Sequence, residues 1–341
     1  MKFTEAILWP ASLLYGAAAS LKARAYRAGW RKPRSLNGIV VSVGNLTVGG
    51  TGKTPLVLWI AQKWLDEGEK VGILTRGYRG KAVAPAQNHT GDLTTSDEVR
   101  LLKQRLGDYV SVGIGANRFE KGQQLASQDI DHFVLDDGFQ HLQLARNVDI
   151  VLIDALNPFG GGHLLPAGRL REPLSALGRA DLVVINRTSN SPAIETVIRR
   201  NSQAAIFYAQ PKIESIRSML DNQITDRSFD LKGVKAFAFC GIGNPQGFLA
   251  TLRDSGAAIV GHRFFPDHHR YTGRDAARIY SEAAACGASV LVCTEKDLYN
   301  LNASFRGNLP LVCVTISLGI QREDEFWHQI NSIAKQRKQK T

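Results

Sequence analysis

Short apolar runs rich in valine, isoleucine and leucine alternate with helical patterns along most of this chain. The runs that predict strands in its first part are Ile39–Val43, Val71–Leu74, Tyr109–Val112, His132–Leu135, Val148–Ile153, Leu182–Ile185 and Ala204–Tyr208. A second series consists of Lys235–Cys240, Ala258–Phe264, Val290–Thr294 and Leu311–Thr315. Strands that alternate with helices are typical of a parallel sheet covered by helices on both faces. We therefore predict an α/β fold.

The hydrophobic periodicity weakens between these two series, over the mixed polar residues 210–233. Such a change is typical of a junction between domains, and 341 residues suggest roughly two domains at about 150 residues each. We expect an N-terminal helix over residues 1–35 and a first α/β domain over 36–210. A linker over 211–233 and a smaller α/β domain over 234–341, ending in a helix with a basic tail, would complete the chain.

The N-terminal segment is mostly apolar from Ala6 to Leu21 but is too short to cross a bilayer, which needs about 20 residues. Its charges follow the apolar stretch, whereas a secretory signal has them in front. On a helical period, small and large apolar residues share one face, and Arg24, Arg27 and Arg31 share another. This pattern predicts an amphipathic helix at a membrane surface. The alternative is a helix packed on the protein's own core.

Composition and charge narrow the partners without choosing one. The chain is 44% hydrophobic and 21% charged, as in an ordinary globular protein, and carries a formal net charge of +11. That charge favours an anionic partner such as nucleic acid, an acidic bilayer or a phosphorylated substrate. The four cysteines show no spacing typical of metal ligands, and three of them lie in apolar runs typical of buried thiols, so we expect a reducing compartment.

A glycine-rich segment, Gly44–Pro55, follows the first strand and precedes a helical pattern. Such a loop directs backbone N–H groups at phosphate oxygens, and the helix N-terminus adds partial positive charge. Lys53 would reach the β- and γ-phosphates, and the Thr54 hydroxyl would bind Mg²⁺. The remaining predicted nucleotide contacts are Gly49, Gly50, Thr51 and Gly52. The P-loop pattern has one departure, because Thr47 occupies the position of its first glycine.

A second polar group follows the strand at His132–Leu135, where Asp136 and Asp137 begin a turn that also contains Gln140 and His141. A carboxylate at the end of a buried strand is a common partner of the P-loop and binds Mg²⁺ there. The sequence leaves open which of the two aspartates contacts the metal. Together with the loop, this turn predicts a P-loop NTPase-like sheet.

The sequence also favours some nucleotides over others. Guanine-specific P-loop proteins use an [NT]KxD element, and the nearest segment here, Thr294-Glu295-Lys296-Asp297, has its lysine one position late. ATP is therefore favoured over GTP. The segment Gly241–Gln246 has glutamine in place of the third glycine of a dinucleotide fingerprint, which argues against NAD.

Six motifs in order resemble the tetraacyldisaccharide 4'-kinase family of lipid A biosynthesis. They are Gly44–Pro55, Arg76–Gly80, Ser96–Glu98, Asp136–His141, Gly160–Pro173 and Phe265–His268. The resemblance implies transfer of the ATP γ-phosphate, with Mg²⁺, to the 4'-hydroxyl of a tetraacylated glucosamine disaccharide 1-phosphate. It also implies that the chain acts on its lipid substrate at the cytoplasmic face of the inner membrane. In addition we expect an anionic membrane surface as a partner, no nucleic acid partner, and a monomer.

The resemblance assigns roles to individual residues as well. It places Asp97 at the acceptor hydroxyl, supported by His268, so that the catalytic set is Asp97, His268 and Lys53. Contacts to the substrate are expected from Arg76, Tyr78, His141, Arg169 and Arg171. Expected Mg²⁺ ligands are Thr54, Asp136, Asp137, Gln140 and Glu172. For Glu172 the alternative is an ion pair with an arginine that holds the 160–173 loop.

Two other classes share parts of this pattern. A nucleotide-dependent switch of the metallochaperone or G-protein type would have the same loop and sheet. A nucleotide-binding membrane scaffold would explain the basic charge and the N-terminal helix, but predicts no turnover. Phosphate transfer to a lipid acceptor distinguishes the kinase from both.

Overall fold

The computed structural model describes residues 3–77, 97–220, 223–225, 229–301, 305 and 307–339, which form two compact units. The first unit comprises residues 1–210 and 318–341, and the second comprises 211–317. The boundaries fall inside two long strands, β7 (Ala205–Leu220) and β12 (Leu311–Ile320).

The first unit contains a parallel sheet in the order β7-β6-β5-β1-β4-β2-β3. Its further strands are β1 (Ile39–Asn45), β2 (Val71–Thr75), β3 (Val110–Ile114), β4 (His132–Asp136), β5 (Val148–Asp154) and β6 (Leu182–Asn186). Its helices include α1 (Phe3–Arg27), α2 (Lys53–Asp66), α3 (Asp97–Leu106), α4 (Arg118–Ala126) and α5 (Pro192–Asn201). The predicted α/β class is confirmed.

The second unit contains the strands β9 (Lys235–Cys240), β10 (Ala258–Phe264) and β11 (Val290–Thr294), which have the predicted bounds. They form a parallel sheet in the order β10-β9-β11-β12, and β8 (Gln223–Thr225) pairs antiparallel with β7. The helices of this unit are α6 (Pro245–Asp254), α7 (Gly273–Ala285) and α8 (Glu295–Leu298).

Buried apolar side chains cover both faces of the central strands, as expected for a parallel sheet between helix layers. In the first unit, Trp64 of α2 and Phe133 of β4 are among the largest fully buried side chains. Burying an aromatic or branched aliphatic side chain contributes about 1.5–3 kcal/mol, so this core dominates the stability of the sheet. The strand ends that carry polar residues are left at the carboxyl edge.

The last helix, α9 (Glu323–Lys338), packs on the first unit, although the sequence groups it with the second. Its buried residues Phe326, Ile330 and Ala334 join the core formed by β1, β5 and α2. Arg337 of the predicted basic tail forms an ion pair with Asp181 at 2.6 Å. The physical reason is that β12 continues to Ile320, which is five residues beyond the predicted end at Thr315 and carries the chain into the first unit.

Candidate active site

The glycine-rich loop connects β1 to α2 as predicted. Gly52 precedes the helix with φ near 90°, a conformation that side chains rarely adopt, and an added Cβ would lie 2.5 Å from the Asn186 amide nitrogen. Asn186 donates to the Thr51 carbonyl at 3.0 Å, and the Asn45 amide donates to the Thr51 hydroxyl at 3.0 Å. Buried amides on two strands thus fix the loop. The first backbone N–H groups of a helix have no partner within it, and those of α2 follow this loop directly.

Thr47, which occupies the position of the first glycine of the P-loop pattern, contacts the 160–173 loop. Its backbone forms an antiparallel bridge with Leu170, so this position needs extended backbone rather than a glycine. The Arg169 guanidinium donates to the Val48 carbonyl at 2.9 Å, and the Arg171 N–H donates to the Leu46 carbonyl at 2.7 Å. The 160–173 loop therefore holds the start of the glycine-rich loop. Arg169, which we predicted as a substrate contact, has this partner within the chain.

Asp137 lies at the centre of the charged groups beside the loop. One of its oxygens lies 3.3 Å from the Lys53 ammonium, and both oxygens lie 2.8 Å from Nη1 of Arg171. Burial raises the pKa of Asp137, but Lys53 and Arg171 outweigh it and hold the pKa below its ordinary value. The carboxylate is therefore ionised at neutral pH. Asp137 also adopts a positive φ of 51°, a strained backbone for a residue other than glycine.

The other predicted metal ligands differ in their surroundings. Asp136 accepts a hydrogen bond from Thr75 at 3.3 Å, and Thr54 is the second residue of α2. Gln140 donates to the Asn45 carbonyl at 3.0 Å, so its amide connects the turn at Asp136–His141, which we call the acidic turn, to the end of β1. The hydroxyl and carboxylates of Thr54, Asp136 and Asp137 are the oxygen donors that Mg²⁺ prefers.

Glu172 forms an ion pair within the chain. Its two carboxylate oxygens each lie 3.0 Å from the Arg179 guanidinium, and the residue is 5% exposed. Arg179 itself lies 4.4 Å from the centre of the Phe139 ring. Because both oxygens face this arginine, the structure supports the alternative of an Arg–Glu pair that holds the loop. Its role as a metal ligand stays a prediction.

Basic groups surround His141 at the other side of the acidic turn. Burial, and then the charges of Arg118, Arg146, Lys22 and Arg76, lower the pKa of His141 to about 4, so its imidazole is neutral at pH 7. Among the described residues, no carboxylate lies within ion-pair distance of Lys22, Arg76 or Arg118. Arg118 is 6% exposed, and its Nε has no hydrogen-bond partner in the described part of the chain. We call this set the His141 cluster.

The sequence did not identify Arg118, although one signal was present. Arg118 is the first residue of α4, where the helix dipole disfavours a positive charge. Burial and the charge of Arg76 both lower the pKa of its guanidinium, while Asp137 and Asp136 oppose this. A buried cation in such a place costs free energy unless it meets an anion. The arrangement is therefore suited to bind a phosphate or another acidic group.

Helix α1 lies against the same region through its small residues. The buried Ser12 hydroxyl donates to the Leu164 carbonyl at 3.1 Å and accepts from the Ala167 N–H at 3.0 Å. Lys22 donates to the Gln140 carbonyl at 3.1 Å, which connects the helix to the acidic turn. Gly16 allows the Leu164 side chain to approach closely, because an added Cβ would lie 2.5 Å from Leu164 Cδ1. The helix thus contacts both the 160–173 loop and the acidic turn.

The large apolar residues of this segment face away from the protein. Exposed fractions are 52% for Leu13, 75% for Leu14, 62% for Leu21 and 78% for Trp30. Helix α1 therefore contacts the rest of the chain through its small residues and leaves these large apolar side chains exposed, and its contact with a membrane surface stays a prediction. None of the helices in the described ranges combines the length and apolarity needed to cross a membrane.

The remaining predicted residues are distributed between the two units. Asp97 is the first residue of α3 in the first unit, and Arg76 follows β2 there. His268 lies in the second unit, in the loop after β10, with φ near 61°. Tyr78 lies outside the residues that the structure describes. The Asp97–His268 pair therefore stays a prediction.

Comparisons with known proteins agree on one family. The family profile described as tetraacyldisaccharide-1-P 4'-kinase matches residues 4–335. Among relatives named tetraacyldisaccharide 4'-kinase, one from Halothermothrix orenii is 37% identical, and the match covers 83% of this chain and 79% of the relative. Another from Anaeromyxobacter dehalogenans is 40% identical, with 84% and 79% covered. LpxK from Aquifex aeolicus, solved in complex with ATP, superposes with a TM-score of 0.69 at 29% identity and covers 97% of this chain and 99% of that one.

Proposed function

The chain belongs to the tetraacyldisaccharide 4'-kinase family, and on this premise we propose how its residues carry out the reaction. The activity is transfer of the ATP γ-phosphate to the 4'-hydroxyl of a tetraacylated glucosamine disaccharide 1-phosphate, in lipid A biosynthesis. The observation that carries the assignment of the site is the position of Lys53. Lys53 is the first residue of α2, and its ammonium lies 3.3 Å from the carboxylate of Asp137, the residue that follows β4.

The glycine-rich loop and the acidic turn, Asp136–His141, would hold the nucleotide. Backbone N–H groups of Gly49, Gly50, Thr51 and Gly52 would bind the phosphate oxygens, and Lys53 would contact the β- and γ-phosphates. Thr54, Asp136 and Asp137 would hold Mg²⁺, which neutralises phosphate charge when bound. Lys53 and Arg171 balance Asp137 within the chain, so both cations are already positioned where phosphate charge would enter.

The transfer step requires a group that accepts the proton of the sugar hydroxyl. We assign this role to Asp97, with His268 orienting Asp97 or sharing the charge. The 4'-oxygen forms a bond to the γ-phosphorus, the bond from that phosphorus to the β,γ-bridging oxygen breaks, and ADP leaves with the electron pair. The hydroxyl proton moves to the Asp97 carboxylate. The two residues belong to different compact units of the chain.

The His141 cluster would bind the anionic part of the acceptor. Replacing Arg118 by methionine keeps most of its volume and removes the charge. Since a phosphate contact of this kind acts on ground state and transition state alike, KM for the lipid should rise about 10- to 100-fold with little change in kcat. Steady-state kinetics at saturating ATP measures this. The matched control is Arg200→Met on the exposed side of α5, and equal KM values for both variants would contradict the assignment.

We also propose that the exposed face of α1 places the enzyme at the cytoplasmic side of the inner membrane as a peripheral monomer. Leu14 and Leu21 would enter the headgroup boundary, while the exposed Arg24 and Arg27 would contact acidic lipids. The Leu14→Glu, Leu21→Glu double variant should lose at least about tenfold in vesicle partitioning, because two buried leucines contribute several kcal/mol.

Flotation with vesicles containing phosphatidylglycerol measures that partitioning. The control is Ala193→Glu, Thr196→Glu on the exposed side of α5, which changes net charge equally without touching α1. Unchanged flotation of the α1 variant, or an equal loss in the control, would remove α1 as the membrane contact.

The experiment that tests the reaction is incubation with ATP, Mg²⁺ and a tetraacyl disaccharide 1-phosphate in detergent. Mass spectrometry should detect a product heavier by one phosphate, together with one ADP for each product formed. A nucleotide-dependent switch would release phosphate to water without this product. A scaffold would consume no ATP.

A further inference from the structure

The segment Thr294–Asp297 contains a carboxylate that the mechanism above does not use. Asp297 is 2% exposed in the core of the second unit, at the carboxyl edge of its sheet. Its oxygens accept hydrogen bonds from four donors. Oδ1 accepts from the Gly241 N–H and the Tyr271 hydroxyl, both at 2.7 Å, and Oδ2 accepts from the Thr294 N–H at 3.2 Å and hydroxyl at 2.5 Å.

Only part of this bonding is explained by helix capping. The contacts between Asp297 and Thr294 form a capping box at the start of α8, a helix of four residues. A capping box needs one carboxylate oxygen, whereas the other oxygen here binds two groups from distant parts of the chain. Burying a carboxylate is costly unless it is fully hydrogen-bonded. The donors from Gly241 and Tyr271 meet that need, and they also fix where those two residues lie.

Both of these residues hold the loop that carries His268. The Gly241 carbonyl accepts the N–H of His268 at 3.0 Å, and the Cys240 carbonyl accepts that of Phe265 at 2.9 Å. Gly241 is needed at this point, because an added Cβ would lie 2.9 Å from the Pro266 carbonyl oxygen. Tyr271 ends the same loop. Asp297 therefore fixes the loop on both sides of His268.

His268 itself adopts a backbone conformation that requires support. Its φ of 61° is uncommon for residues other than glycine and costs free energy. Such a conformation persists only where the surrounding contacts determine it. The hydrogen bonds from Asp297 through Gly241 and Tyr271 are contacts of this kind, and they end in a buried group that cannot reorient freely.

We propose that Asp297 is a positioning residue that holds the His268 imidazole in the geometry needed for phosphoryl transfer, through Gly241 and Tyr271. The proposal rests on the role assigned to His268 above. It gives the buried Thr294–Asp297 segment a function in catalysis that does not involve nucleotide recognition.

The test uses Tyr271→Phe in the full-length enzyme, because this change removes one hydroxyl and leaves Asp297 with its remaining donors. The phenyl ring keeps its packing against Phe239 and Phe305. We expect kcat to fall about tenfold with KM for ATP unchanged, since a positioning group acts on the transition-state geometry. Exchange of the His268 amide proton should accelerate, and its imidazole ¹⁵N signals, assigned by their loss in His268→Ala, should shift.

The matched control is Tyr280→Phe, whose ring also lies against Phe305 and whose hydroxyl forms no hydrogen bond with the described residues. Wild-type kcat and unshifted His268 signals in Tyr271→Phe would overturn the proposal. Asp297→Asn places an N–H₂ group among the four donors. If its thermal melt shows that it folds, this variant should produce a larger shift of the same signals. Full activity of His268→Ala would instead refute the assigned role of His268, and the NMR comparison would then decide the positioning claim by itself.

Discussion

Replacing Lys53 by alanine is expected to lower kcat by about 10²- to 10³-fold, which is roughly 3–4 kcal/mol of transition-state stabilisation. The ammonium is 13% exposed and lies at the start of α2, where charge on the transferring phosphate would develop. A contact that strengthens as that charge develops acts on kcat more than on KM. The measurement is steady-state turnover of ATP and the lipid acceptor.

The Lys53 variant should still fold. Its loss leaves Asp137 paired with Arg171 at 2.8 Å, so the carboxylate stays compensated and the acidic turn keeps its support. Lys63→Ala is the matched control, since Lys63 lies on the same helix and pairs with Glu323 on the surface. Near wild-type kcat in Lys53→Ala would remove the assignment of this loop to the nucleotide phosphates, and a low melting temperature would make the kinetic loss uninformative.

The Asp97→Asn and His268→Ala variants are each expected to lower kcat by about 10²- to 10⁴-fold while ATP affinity changes only a few-fold. The double variant should resemble the worse single variant, because residues that act as one unit are strongly non-additive. A purely structural role predicts otherwise. As a first-turn acid at the start of α3, Asp97 would contribute about 0.3–1 kcal/mol to stability and nothing specific to kcat.

The cycle needs four proteins measured at one pH, each with a thermal melt. Asp324→Asn provides a control for losing an exposed first-turn carboxylate, and His262→Ala provides one for losing an exposed imidazole in the second unit. If the two losses multiply, Asp97 and His268 act independently and the dyad is wrong. If both are small, proton acceptance belongs to another residue.

Much of the first unit could be predicted from the sequence because its signals are local. The strand at Ile39–Asn45, the glycine-rich loop and the helix from Lys53 are contiguous, and each has a characteristic period or turn residue. Asp137 follows a buried strand, and parallel strands bring their carboxyl ends to one edge. The proximity of Lys53 and Asp137 therefore follows from topology.

Other features depend on partners distant in the chain. The apolar face of α9 is visible in the sequence, but nothing in it identifies the α2 and β1 core as its partner. Glu172 is an acid in a glycine-rich segment by sequence, and only the structure shows that it pairs with Arg179. The Ala205–Leu220 strand runs far beyond its predicted end at Tyr208, because alternating polar residues weakened the pattern there.

The contact between Ser12 and the 160–173 loop matters for anyone preparing a shortened enzyme for inhibitor screening. Removing the N-terminal helix to improve handling would also remove the hydroxyl that binds Leu164 and Ala167, and the lysine that binds the Gln140 carbonyl. The 160–173 loop also contacts Thr47 and Val48 at the start of the glycine-rich loop. Compounds ranked against such a truncated form would therefore be selected against a glycine-rich loop that has lost these contacts, and detergent-solubilised full-length protein is the sounder target.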